Sequence, residues 1–121
     1  MTNPLAFIVE DYEDDALVFA KAFEMAGYVT EIILDGAIAE KRLSEAVPAV
    51  VLLDLHLPNV SGRALLRQIR ADERLAETRV FLATADAQLA DELREDADLV
   101  LVKPIRFAQL GTLAIRFRPP T

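Results

Sequence analysis

Four short apolar runs in this chain each end in a residue able to do chemistry. Leu5–Val9 (LAFIV) leads into Glu10 and Asp11. Residues 49–53 (AVVLL) lead into Asp54. Residues 79–83 (RVFLA) lead into Thr84 and Ala85. Leu99–Val102 (LVLV) leads into Lys103 and Pro104. If these runs are parallel strands of one sheet, their carboxyl ends share an edge, and the three carboxylates converge there with a hydroxyl and an amine. Crowded carboxylates repel, and each raises the proton affinity of the others. A hard divalent cation with oxygen ligands relieves that repulsion, and Mg²⁺ takes one or two protein carboxylates while keeping several waters. The metal alone leaves the lysine and threonine without a purpose. A phosphoryl group supplies one, since its oxygens need a metal, a cation and a hydroxyl together. With an aspartate as acceptor, the product is an acyl phosphate.

The intervening stretches have the spacing of helices. After the acidic residues Glu13, Asp14 and Asp15, positions 18, 19, 22, 23 and 26 form one apolar stripe, and Gly27 follows. Acid at the start and glycine at the end suit the helix dipole and the C-cap. Residues 37–46, 62–72, 88–95 and 107–117 are predicted as four further helices. Leu65, Leu66 and Ile69 point inward from the third, and Phe107, Leu110 and Ala114 share a face of the fifth. Residues 29–34 (VTEIIL) are mixed in character, as a strand toward the sheet edge would be, and end in Asp35-Gly36, read as a plain turn. The pattern is therefore β-α repeated five times. Near-continuous apolar strands imply burial on both faces and a parallel sheet covered by helices. Right-handed crossovers give an α/β doubly wound, flavodoxin-like sheet of five strands, in the order 2-1-3-4-5. The chain reads as a single domain over residues 1–121, with its core at about 5–117. Only residues 118–121 resemble a tail.

Composition narrows the function. There are no cysteines, so disulfides, zinc thiolates and cysteine nucleophiles are excluded, and one histidine rules out a multi-histidine metal site. The formal net charge of −7 disfavours direct contact with a phosphate backbone. No apolar run approaches the roughly 20 residues of a membrane span, and no secretory signal stands at the N-terminus. A cytoplasmic, reducing compartment is expected.

Residues 7–11 (FIVED), 51–62 (VLLDLHLPNVSG), 81–85 (FLATA) and 102–104 (VKP) resemble the receiver domain of two-component response regulators. The likeness runs from Ala6 to about Phe117, with all four motifs in order. It implies that Asp54 is the phosphoacceptor, that Glu10 and Asp11 are the metal-binding acidic pair, and that the backbone carbonyl of His56 completes an Mg²⁺ site. It further implies that Thr84 is the switch hydroxyl and Lys103 the lysine that pairs with the phosphoryl group. Pro104 matches a proline whose preceding peptide is often cis, and Pro58 and Gly62 match the turn after the acceptor. The implied donor is a sensor histidine kinase or a histidine phosphotransfer protein. The acidic charge and the short apolar runs lead to an expectation of no direct nucleic-acid or membrane partner, and a monomer or weak homodimer is expected. The protein would be a signalling domain that assists its own phosphorylation and dephosphorylation, not an enzyme with an external substrate.

Each residue also has a plainer reading. Glu10-Asp11 suits an acidic helix start, Asp54 a cap, Thr84 an N-cap for the fourth helix, His56 an exposed loop imidazole, and residues 91–98 a solvated acidic face. An aspartyl phosphatase would carry Asp-x-Asp after its first strand, whereas Asp54-Leu55-His56 follows the third. A flavodoxin-like cofactor binder would need a phosphate-cradling loop, and no Gly-rich loop is present. A degenerate receiver serving as a phosphorylation-independent interaction module is the remaining alternative. It draws on two departures: the short interval from Thr84 to Lys103, and Val100, which stands where the family commonly has an aromatic ring. Leu17, outward on the first helix beside the site, is a candidate contact for a histidine-bearing partner.

Overall fold

The computed structural model describes residues 3–120; Met1, Thr2 and Thr121, included above in the domain and the tail, lie outside the described residues. Five strands, β1 (Leu5–Val9), β2 (Val29–Ile33), β3 (Val50–Asp54), β4 (Arg79–Thr84) and β5 (Leu99–Val102), alternate with five helices. These are α1 (Glu13–Met25), α2 (Gly36–Glu45), α3 (Gly62–Ala71), α4 (Ala87–Glu92) and α5 (Phe107–Arg116). A single 3₁₀ turn at Glu73–Leu75 joins α3 to β4 and has no counterpart in the predicted elements. All strand pairs are parallel, in the order β2-β1-β3-β4-β5 expected from the sequence.

Alternation along the strands divides the core into two layers. Ala6 and Ile8 face α1 and α5 with Phe19, Phe23, Phe81, Leu110 and Ala114. Phe7 and Val9 face the opposite layer with Leu43, Leu65, Ile69 and Leu82. Strand β3 is buried from end to end, so Asp54 arrives at the sheet edge on a strand with no access to water along its length.

Local chemistry sets the helix starts. Asp35 caps α2 by accepting from the amides of Ala37 and Ile38, and Ser61 caps α3 by accepting from Ala64. Gly62 lets α3 start against the strand end: a Cβ there would lie 2.4 Å from the carbonyl oxygen of Asp54. Asp35-Gly36 is more than the plain turn expected. The Gly36 amide donates to the Pro58 carbonyl at 3.1 Å, and a Cβ on Gly36 would meet the Val60 carbonyl. Asn59, at φ 71°, donates from its amide group to Asp35. The β2–α2 loop thus grips the loop that follows Asp54.

Three other expectations are corrected. Helix α4 ends at Glu92 instead of residue 95, because the chain beyond it is pulled onto the body of the protein. Arg70 donates to the Asp96 carbonyl at 2.9 Å, and Asp98 accepts from the Val80 amide at 2.7 Å. Asp98 is therefore no part of a solvated face: its carboxylate also pairs with Arg70 and Arg79. Val18 and Phe107, placed on inward stripes, are 46% and 41% exposed, and Ala16 and Ala20 take the buried positions on α1. Of the predicted α1 stripe, Phe19, Ala22, Phe23 and Ala26 are buried as expected, and only Val18 is displaced from it.

Candidate phosphoryl-acceptor site

Strand register builds the site. Val9 lies opposite Leu53, so the next residues, Glu10 and Asp54, emerge side by side. Asp54 is paired with Ala83, and Thr84 with Val102, which brings Thr84 and Lys103 to the same edge. The Lys103 amide donates to the Thr84 carbonyl at 2.8 Å, and the Lys103–Pro104 peptide is cis.

Glu10, Asp11 and Asp54 each place a carboxylate oxygen within 4.8 Å of the others. Glu10 and Asp54 are buried, and Asp11 is exposed. From β5, Lys103 reaches across β4 and donates its Nζ to Glu10 Oε1 at 2.6 Å and to Asp54 Oδ2 at 3.1 Å. The second oxygen of Glu10 accepts from the Tyr12 amide at 3.1 Å, and Asp54 Oδ1 accepts from the His56 amide at 2.9 Å. Burial first, and then the nearby Asp54, push Glu10 up to about 7 against the partial relief given by Lys103. Burial pulls Lys103 down, yet its contacts with Glu10 and Asp54 prevail and hold its ammonium above the ordinary lysine value. The donor set is hard and all-oxygen, matched to a small divalent cation and unsuited to soft metals.

Two predicted site residues add no side chain to the carboxylate cluster. The Thr84 side chain is fully buried, and its hydroxyl accepts from the Asp86 amide at 3.0 Å. The N-cap of α4 is Asp86, which accepts from Gln88 and Leu89; Thr84 supports the cap without being it. His56 contributes its backbone to Asp54, and the residue is exposed. The sequence reading missed two supporting residues, Asp35 and Asp86. The signal for each was an Asp directly before a predicted helix, the usual N-cap pattern. Beside the cluster, Leu17 is 56% exposed as expected. A cavity of about 400 Å³ lies between α1 and the Lys103–Ile105 segment, lined by Asp15, Val18, Phe19, Lys103, Pro104 and Ile105 among others.

The site is thus a buried strand-end aspartate held by a lysine beside acidic neighbours, at one edge of a 2-1-3-4-5 sheet. Comparison with known proteins gives the family. The profile of the response regulator receiver domain matches residues 6–114, and the chain belongs to that family. The probable methanogenesis regulatory protein FilR2 of Methanothrix harundinacea is 34% identical over 117 residues, covering 88% of this chain and 76% of the relative. The DNA-binding dual master transcriptional regulator RpaA of Synechocystis is 32% identical over 104 residues. That match covers 84% of this chain and 43% of the relative, so the chain spans less than half of that protein. Among solved structures, a CheY-like receiver domain from Methylobacillus flagellatus superimposes with a TM-score of 0.84 at 30% identity, covering 97% of this chain and 100% of that one. The receiver domain of the sensor histidine kinase PA1611 from Pseudomonas aeruginosa gives 0.84 at 25% identity, with 96% and 98% coverage. That structure holds a magnesium ion in its active-site cleft. Among the described residues, no helix is long and apolar enough to cross a membrane.

Proposed function

We propose that this chain is an Mg²⁺-dependent phosphoryl acceptor in two-component signalling, modified on Asp54 by the phosphohistidine of a sensor kinase or phosphotransfer protein. The observation that carries the reading is the buried Asp54 carboxylate. One of its oxygens is fixed by the His56 amide and the other by Lys103. A free Asp54 oxygen lone pair attacks phosphorus, the N–P bond of the phosphohistidine breaks, and the imidazole leaves with a proton from solvent. The donor is already activated, so the protein contributes position and charge neutralisation. Lys103 is placed to move from its two carboxylates onto a phosphoryl oxygen. Thr84 keeps its hydroxyl proton free to donate, because the bond from Asp86 uses only an oxygen lone pair. Asp11, Asp54 and the His56 carbonyl would hold Mg²⁺, with Glu10 mostly outside the direct ligands. The metal would neutralise charge building on the phosphoryl oxygens. The same groups favour slow hydrolysis of the acyl phosphate by water, which returns the free carboxylate.

The apolar rim of Leu17 and Val18, with the adjacent cavity at Lys103–Ile105, suits the approach of a helical histidine-bearing partner. A cytoplasmic location fits that partner. The net charge of −7 argues against nucleic-acid contact by this chain itself. Intact mass after incubation with acetyl phosphate and Mg²⁺ tests the reading. Wild type is expected to gain one phosphoryl mass and Asp54→Asn none. Equal labelling of Asp54→Asn would overturn the acceptor. No labelling of wild type under any divalent cation would favour a phosphorylation-independent interaction module instead.

A further inference from the structure

On the α2–α3 side of the sheet, α3 carries Arg63, Arg67 and Arg70, spaced i, i+4 and i+7 on one stripe. Helix α4 is only six residues long, and a groove lies between α3 and the chain that follows α4 at Leu93 and Asp96. The groove holds a cavity of about 330 Å³. It is lined by Leu66 and Leu93, the three arginines and Asp96, whose carbonyl accepts from Arg70.

The arginines are not equivalent. Arg70 is committed to the fold, donating to the Asp96 carbonyl and pairing with Asp98 at 3.1 Å. Arg63 and Arg67 are exposed, and among the described residues neither is paired with a carboxylate or a carbonyl. Two uncommitted guanidiniums one helical turn apart put positive charge on this stripe of a chain whose net charge is −7. A guanidinium presents a planar fork of donors that fits a carboxylate in two-point fashion.

We propose that this groove docks an acidic, partly apolar helical segment of a partner protein. Two carboxylates one turn apart would meet Arg63 and Arg67. An apolar side chain between them would settle on Leu66 and Leu93, and a donor group would face Asp96. The mixed lining decides against a nucleic acid: Asp96 opposes a uniform polyanion, and Leu66 and Leu93 offer a phosphate track nothing. The surface is separate from Asp54, so its occupancy and phosphorylation are read by different measurements.

The test is a titration of the isotopically labelled chain with a short helical peptide carrying Leu between two Glu one turn apart. Controls are a scrambled peptide of the same composition and oligothymidylate. Amide shifts are expected to gather on residues 63–70 and 93–96 and to weaken as salt screens the charges. Binding should fall about tenfold or more in the Arg63→Ala, Arg67→Ala double variant, the loss of two oriented charge pairs. That variant should still label on Asp54, since both side chains are exposed. Asp54→Asn should bind the peptide as wild type does. The proposal is overturned if the peptide gives no shifts, if the scrambled peptide shifts the same amides equally, if the double variant binds unchanged, or if oligothymidylate takes the groove more tightly.

Discussion

Asp54 sits where folding alone would not place a charge. It ends a fully buried strand beside a second buried carboxylate, with one lysine to serve both. Such crowding stores destabilisation at a functional position. Asp54→Asn removes one of the charges while keeping an acceptor for the His56 amide. Without divalent cation it should therefore stabilise the chain by about 1 kcal/mol, as relief of strain at a functional site commonly does. Urea denaturation in EDTA measures this, and a variant no more stable than wild type would contradict it. Two glycines separate geometric from entropic effects. Gly62→Ala forces a Cβ against the backbone of Asp54 and Leu55. It should cost about 2–4 kcal/mol, as overpacking against rigid neighbours does, and slow labelling of Asp54. Gly111 lies in the middle of α5 with open space where its Cβ would go. Gly111→Ala should stabilise by about 0.5–1 kcal/mol through helix propensity and leave labelling unchanged. The same denaturation assay reads both, and the opposite signs are the discriminating result.

Among the elements, α4 is tied to Thr84 through its cap. Its cap, Asp86, shares its own amide with the Thr84 hydroxyl. If Thr84 turns toward a phosphoryl group, that amide and the first turn of α4 feel it. Within strand β5, upstream of Lys103, Val100 offers no equivalent lever. Val100 is packed against the layer containing Leu82 and Leu93, and its branched side chain has one stiff torsion and no polar group to re-pair. A conformational response needs a differential interaction between the two states. Beryllofluoride should thus shift the amides around Asp54, Thr84 and Asp86 strongly, with smaller shifts through β5 and α5. Large shifts across Val100 and α5 would show a coupling element other than Thr84. The strands and their order were legible because buried parallel strands are written as unbroken apolar runs, and because each run here ended in a marked residue. Glu10, Asp54 and Lys103 came together as read, since strand register alone carries them. What stayed hidden depended on contacts distant in sequence. The early end of α4 follows from Arg70 and Val80 claiming Asp96 and Asp98, and the grip of Asp35-Gly36 on the Asp54 loop follows from Pro58 and Asn59. The exposure of Val18 and Phe107 reflects how α1 and α5 seat against each other, which helical spacing alone leaves undetermined.

For the whole molecule, two carboxylates pull the stability profile in opposite directions. Asp98 joins α3, β4 and the start of β5 through Arg70, Arg79 and the Val80 amide. Burial opposes its charge, but those three donors prevail and hold it below 3.8. A depressed folded value means that the stabilisation is full above the unfolded value and is lost as pH falls through the folded one. Asp98→Asn should thus cost about 2 kcal/mol near neutrality and flatten the loss of stability below about pH 4. Glu10 has the reverse sign. Its folded value is raised from 4.5 to about 7, so its contribution is complete below 4.5 and is lost as pH rises through 7. Metal-free protein should accordingly be most stable on the acidic side of neutrality and lose on the order of a few kcal/mol toward pH 8. Mg²⁺ competes with the proton for the same cluster, so its stabilising effect should be small near pH 5 and grow toward pH 8, following ligand linkage. Melting temperatures across this range, with EDTA or saturating Mg²⁺, separate the two contributions. Glu10→Gln should remove most of the alkaline decline in EDTA, and Asp11→Ala should remove most of the Mg²⁺ effect. An alkaline decline that persists in Glu10→Gln would place the responsible proton elsewhere, and an undiminished Mg²⁺ effect in Asp11→Ala would place the cation away from this cluster.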